Sequence, residues 1–157
     1  MKLYHFSENP NIRQFTPRDG KVWAISEDKE VHYYFPRDCP RICYWITSDT
    51  TKQDKQQFFA FTNATKIISI KANWLEKMRE TILYRYELPA NMFTSMDQNA
   101  GYYIASQKIE PLQMKPIDHL LERIVLQNVA MHIQPSLHSL ADAVICSSLG
   151  FSIIRLR

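Results

Sequence analysis

The chain has 157 residues, 45% of them hydrophobic and 22% charged, far from the apolar-poor, charge-rich mix that keeps chains disordered. That length suits one sizeable core, so a single domain over residues 1–157 is expected. Nineteen basic and sixteen acidic residues are interspersed and leave a net charge of +3; with no basic stripe to neutralise a run of phosphates, nucleic acid is permitted as a ligand but not implied.

In chain order, residues 2–6 read as a strand, followed by a polar loop with Pro10, Pro17 and Gly20, and residues 22–25 as a second strand. Ser26 before Glu27 and Asp28 marks a helix start, because a hydroxyl caps free amides and acids favour the positive helix end. That helix would carry Val31, Tyr34 and Phe35 on one face until Pro36 ends it. Residues 41–47 and 67–70 read as buried strands, and Asn73-Trp74-Leu75-Glu76 has capping-box spacing before a short helix. Residues 82–88 alternate like a strand with one polar face and stop at Pro89.

Residues 102–105 and 108–114 are further strands on the same grounds. Two amphipathic helices follow, the first with Ile117, Leu120, Leu121, Ile124 and Val125 inward. The second carries Leu137, Leu140, Ala141, Val144 and Ile145 inward behind the cap Ser136. Residues 129–133 between them and 151–156 at the end are short strands. Strands of differing context mixed with modest helices predict an α+β class rather than a doubly wound sheet. The opening residues lack the apolar core of a signal peptide and no stretch approaches the ~20 apolar residues that span a bilayer, so a cytosolic protein with no membrane partner is expected.

Three glycines, Gly20, Gly101 and Gly150, are too few and too scattered for a phosphate loop or a dinucleotide fingerprint, and no Gly-x-Ser-x-Gly or His-Glu-x-x-His stretch occurs. Cys39, Cys43 and Cys146 are an odd number in apolar or helical contexts, which favours buried thiols over disulfides. Cys39 and Cys43 lie near His32, yet Pro40 and Ile42 fall between them and no second ligand pair follows, so no metal is expected.

Alternation along the first strand sends Tyr4 and Phe6 to one face and His5 and Ser7 to the other. With Tyr4 and Phe6 in the core, His5 would point to a cleft, where a neutral imidazole can donate a hydrogen bond to a sugar hydroxyl or act as a general base. The alternative is a strand histidine bonded to a neighbouring carbonyl. Phe35-Pro36-Arg37-Asp38-Cys39-Pro40-Arg41 sets two guanidinium groups among prolines, and the planar guanidinium fork suits phosphate and carboxylate. Its alternative is a surface cluster of Arg37 and Asp38.

Leu3-Tyr4-His5-Phe6-Ser7-Glu8, the segment 35–41, Leu83-Tyr84-Arg85-Tyr86-Glu87-Leu88-Pro89 and Ile154-Arg155-Leu156-Arg157 together resemble a bacterial family of unknown function. Leu3-Tyr4-His5, Val22-Trp23-Ala24 ahead of a helix carrying Tyr34, then Tyr84-Arg85-Tyr86-Glu87-Leu88 and Phe93 also follow the order seen in small ADP-ribosyltransferase-like domains. That resemblance implies a mixed, mostly antiparallel split sheet with short helices, a cleft that grips NAD, His5 against a ribose and Tyr34 stacked on nicotinamide. His5 and Arg37 are then the residues expected to carry any chemistry, and Ser7, Trp23 and Tyr34 those expected to hold the ligand. Such domains bring a glutamate where this chain reads Gly101-Tyr102-Tyr103-Ile104-Ala105, so Tyr102 stands in the acid's place. Asp97 or Glu110 compensates only if the fold returns one to the cleft. Two expectations result: a binding domain for NAD or another phosphorylated nucleotide, and, as the alternative, an active ADP-ribosyltransferase or RNA 2′-phosphotransferase-like enzyme.

Overall fold

The computed structural model describes all 157 residues, Met1–Arg157. In chain order the elements are β1 (Leu3–Ser7), β2 (Val22–Ser26), β3 (Arg41–Trp45), α1 (Lys52–Phe59), β4 (Lys66–Lys71), α2 (Leu75–Glu80), β5 (Leu83–Leu88), β6 (Thr94–Asp97), β7 (Tyr102–Ala105), β8 (Gln113–Ile117), α3 (Leu120–Leu126), β9 (Val129–Gln134), α4 (His138–Ile145) and β10 (Gly150–Ile154). The class is mixed α+β with two sheets, mostly antiparallel. No helix is long and apolar enough to cross a membrane. Chain packing divides the molecule into two compact units, residues 1–37 with 81–118 and residues 38–80 with 119–157.

The first unit is a six-stranded antiparallel sheet in the order β6-β7-β2-β1-β5-β8. One face presents Leu3, Val22, Ala24, Tyr86, Leu88 and Ala105, and the loop residues Phe15 and Ile109 close over it. Those two are joined by reciprocal backbone hydrogen bonds of 2.8 and 3.0 Å, so the loop after β1 lies on the core as a bridged lid rather than as free chain. The other face carries Tyr4, with the Arg85 guanidinium 4.5 Å above its ring and in turn paired with Glu30 at 3.1 Å. The turn that Ser26 was expected to open is a 3-10 helix, Glu27–Tyr33, and Val31, Tyr34 and Phe35 are buried as the periodicity requires. Ser26 makes no capping bond to the backbone; its hydroxyl donates to the Asp28 carboxylate at 2.5 Å instead.

Several boundaries differ from expectation for identifiable reasons. Residues 108–112 are irregular and the strand runs over Gln113–Ile117, because Pro111 has no N–H to give a ladder. Pro116 is tolerated inside β8 because β8 is an edge strand. Ile117 therefore ends a strand instead of opening a helix. The seven- and eight-residue helices α3 and α4 bury a narrow stripe, Leu120 with Ile124 and Ala141 with Val144, and leave Val125 and Ile145 exposed. Leu137, not Ser136, occupies the N-cap position of α4.

The second unit is a four-stranded sheet in the order β10-β3-β4-β9, parallel between β4 and β9 and antiparallel elsewhere. Ile42, Tyr44 and Ile67 pack on one face with Phe59, Leu137, Ala141 and Val144 from α1 and α4 and their approaches. β4 is buried from Ile67 through Ile70, the pattern of a strand covered on both faces. Cys39 and Cys43 are buried and Cys146 is exposed, which corrects the expectation for the third thiol.

Candidate functional site

β1 pairs with β5 along its whole length, from Leu3↔Leu88 to Ser7↔Tyr84. Against β2 it pairs at Leu3↔Ser26 and Tyr4↔Ile25 and then stops. The sheet therefore splits beside His5. The Trp23 carbonyl, which a longer ladder would have given to a β1 amide, takes His5 Nδ1 at 3.1 Å instead. A carbonyl can only accept, so Nδ1 carries the hydrogen and the neutral ring keeps its lone pair on Nε2. The imidazole lies against the Phe15 ring, centroids 4.7 Å apart. Burial pulls the His5 pKa below the ordinary histidine value, the Trp23 bond opposes it, and the charges of Arg18 and Arg37 add to the lowering. The neutral imidazole is thereby favoured over the imidazolium.

Each part of the bland expectation for His5 is thus met at Nδ1, while Nε2 is left as a hydrogen-bond acceptor. Ser7 is half-buried on the same face by strand alternation, and its hydroxyl oxygen accepts the Asn9 amide at 3.0 Å to start the following turn. Arg37 is exposed, and its backbone amide donates to the Glu8 carboxylate at 3.1 Å. Asp38 is joined to Arg155 at 3.7 Å.

Trp23 and Tyr34 lie on the opposite face of the sheet. The Trp23 side chain, 41% exposed, meets Tyr102 edge-on at 5.9 Å and has the Lys21 ammonium 5.7 Å over its ring. Tyr34 is 3% exposed with its ring edge-on to Phe6 at 5.6 Å, so its faces belong to the core. The expected set is accordingly two groups: His5 and Ser7, within reach of the Arg37 charge, and Trp23 with Tyr34 across the sheet. Tyr102, in the place of the acid, accepts a hydrogen bond from the Tyr33 hydroxyl at 2.9 Å. Asp97 does come opposite Tyr102 in the β6–β7 pairing, but its carboxylate accepts the Ala100 amide at 3.1 Å and closes its own turn.

Two residues around His5 escaped sequence reading. Arg18 is brought there by a tight turn in which Asp19 (φ 51°) and Gly20 (φ 76°) are both left-handed and Arg18 and Lys21 exchange backbone bonds of 2.9 and 3.0 Å. Asp-Gly is the sequence signature of that turn, so the signal was present. Glu8, tied to the Arg37 amide, had no such signal. A cavity of about 350 Å³ lies elsewhere, in the second unit, and none of His5, Ser7, Trp23, Tyr34 or Arg37 lines it.

Fold and site together define an α+β protein whose His5 is oriented by a backbone carbonyl at a split in an antiparallel sheet. The chain belongs to a family of unknown function, DUF6886, whose model matches residues 4–157. No curated protein and no solved structure matches it.

Proposed function

We propose that the protein binds a phosphorylated nucleotide of the NAD or ADP-ribose type at the open side of β1 and holds it without turning it over. The observation that supports this most is the His5 imidazole, locked by the Trp23 carbonyl at 3.1 Å so that Nε2 is left as an acceptor. A ribose hydroxyl is a donor of matching strength, and the guanidinium groups of Arg18 and Arg37, whose charges reach His5, suit a diphosphate. The role of His5 is then acceptance from the sugar hydroxyl rather than donation to it.

The binding reading is preferred to an enzyme because a ribosyl cation needs a carboxylate, and the expected position holds the Tyr102 phenol, engaged by Tyr33. A 2′-phosphorylated RNA end presents the same pairing of sugar hydroxyl and phosphate and is the competing ligand. Three unbridged cysteines suit the reducing cytosol as the compartment.

The test is thermal unfolding with NAD, ADP-ribose and a 2′-phosphorylated oligoribonucleotide, run beside an assay for free nicotinamide. NAD or ADP-ribose should raise the midpoint, His5→Ala and Arg37→Ala should each reduce the rise, and no nicotinamide should appear. No shift with any ligand refutes the reading; nicotinamide release replaces it with the transferase.

A further inference from the structure

We propose that the second unit carries a separate ligand site, the cavity of about 350 Å³ at one end of its sheet, which takes the phosphate group of a small molecule bearing a planar ring. The register locates it. Ile154 of β10 pairs with Arg41 of β3, Arg41 with Ile70 of β4, and Lys71 with Gln134 of β9. The carboxyl ends of β4, β9 and β10 therefore reach the same edge. The loops leaving three strands converge there over a rigid floor, an arrangement that forms a concave site.

The lining is cationic. Lys71, Arg155 and Arg157 line the cavity together with the Asp38 carboxylate, which is paired with Arg155 at 3.7 Å. Lys71 and Arg157 have no carboxylate partner. Cations of one sign gathered in a concavity focus a positive potential there, which favours an anion. α4 starts at the same place: His138 and Ser136 line the cavity, and the N-cap residue Leu137 supplies no side-chain cap, so the first-turn amides also point to an acceptor. The Trp74 indole lines the cavity and has the Lys77 ammonium 5.5 Å over its ring, which provides an aromatic surface next to the cations.

The backbone at the edge is also unusual. Asp38 before β3 and Arg155 just past β10 are both left-handed, at φ 67° and 59°, a conformation aspartate takes readily and arginine seldom. Non-glycine residues hold that conformation at a cost, and such residues gather at ligand sites. This inference does not depend on the His5 reading, since every residue in it belongs to the second unit.

The test titrates the intact protein with inorganic pyrophosphate, ADP and sulfate at fixed ionic strength, followed by calorimetry and tryptophan fluorescence. Pyrophosphate should bind saturably, with affinity unchanged in Lys55→Ser, an exposed lysine of α1 outside the cavity, and at least tenfold weaker in Lys71→Ser/Arg157→Ser. Trp74→Phe should remove the fluorescence response to ADP and leave pyrophosphate affinity within twofold. If the double variant does not fold by circular dichroism, Ser136→Glu, which puts a carboxylate into the cavity, should give the same tenfold loss. Absence of saturable binding, sulfate equal to pyrophosphate, or affinity indifferent to these substitutions overturns the site.

Discussion

The His5 imidazole meets the Trp23 carbonyl at 3.1 Å, just past the last paired residues of β1 and β2. The bond orients the ring and, by occupying Nδ1, leaves the lone pair on Nε2. It also sets how stability responds to acid. Burial, with Arg18 and Arg37, holds the folded pKa below the ordinary value of 6.5, so as pH falls below 6.5 the unfolded chain takes up a proton that the folded chain refuses. Stability contributed by neutral His5 is complete above pH 6.5 and declines from there down to the folded pKa. Urea unfolding at pH 7.5 and pH 5 should show a smaller loss in His5→Gln than in the parent protein; an equal loss places the titration elsewhere.

Tyr86 holds the loop that follows β1. Its hydroxyl, on a ring 1% exposed, donates to the Asn9 carbonyl at 2.6 Å and accepts from the Ile12 amide at 3.1 Å. Tyr86→Phe keeps the ring and strands both partners, so a loss of ~1–3 kcal/mol is expected. Denaturant unfolding measures it, and faster amide exchange at Ile12 identifies the cause.

Gly150 opens β10 directly against the indole of Trp45. A Cβ there would come within 2.9 Å of three atoms of that ring, which is itself buried in β3. Gly150→Ala is expected to cost ~1–3 kcal/mol through overpacking, with a change in Trp45 fluorescence; an unchanged midpoint would show that the indole moves freely.

The thiols should separate cleanly by reactivity. Burial pushes Cys43 up to about 12 and Cys39 up to about 11, so neither offers thiolate at neutral pH. Cys146 is exposed. Maleimide labelling followed by mass spectrometry should modify Cys146 alone in the folded protein and all three after unfolding.

Much of this was legible in the sequence where pattern and burial agree. Strands with strong alternation or unbroken apolar runs, Leu3–Ser7, Lys66–Lys71 and Tyr102–Ala105, lie where they were expected, because period-two hydrophobicity is decided by the face it buries. α1 was missed although Thr51 caps it through the Asp54 amide at 3.1 Å; its body, Lys52-Gln53-Asp54-Lys55-Gln56-Gln57, is polar all round and shows no stripe. β6 was missed because all four of its residues are exposed. His5 and Ser7 could be put on one face from alternation, but the division of Trp23 and Tyr34 to the other face depends on pairing of β1 with β2 and on the packing of Phe6, both long-range. The second-unit cavity is assembled from residues 38 to 157 at the ends of separate strands, and no local pattern announces it.

The central claim is that His5 Nε2 accepts a hydrogen bond from a nucleotide ribose. Long-range ¹⁵N–¹H spectroscopy of the imidazole during titration with NAD tests it most directly. The account predicts that free His5 is the Nδ1–H tautomer and that NAD shifts Nε2 saturably, with no nicotinamide set free. A ring whose nitrogens do not move with NAD or ADP-ribose, or whose hydrogen sits on Nε2, contradicts it.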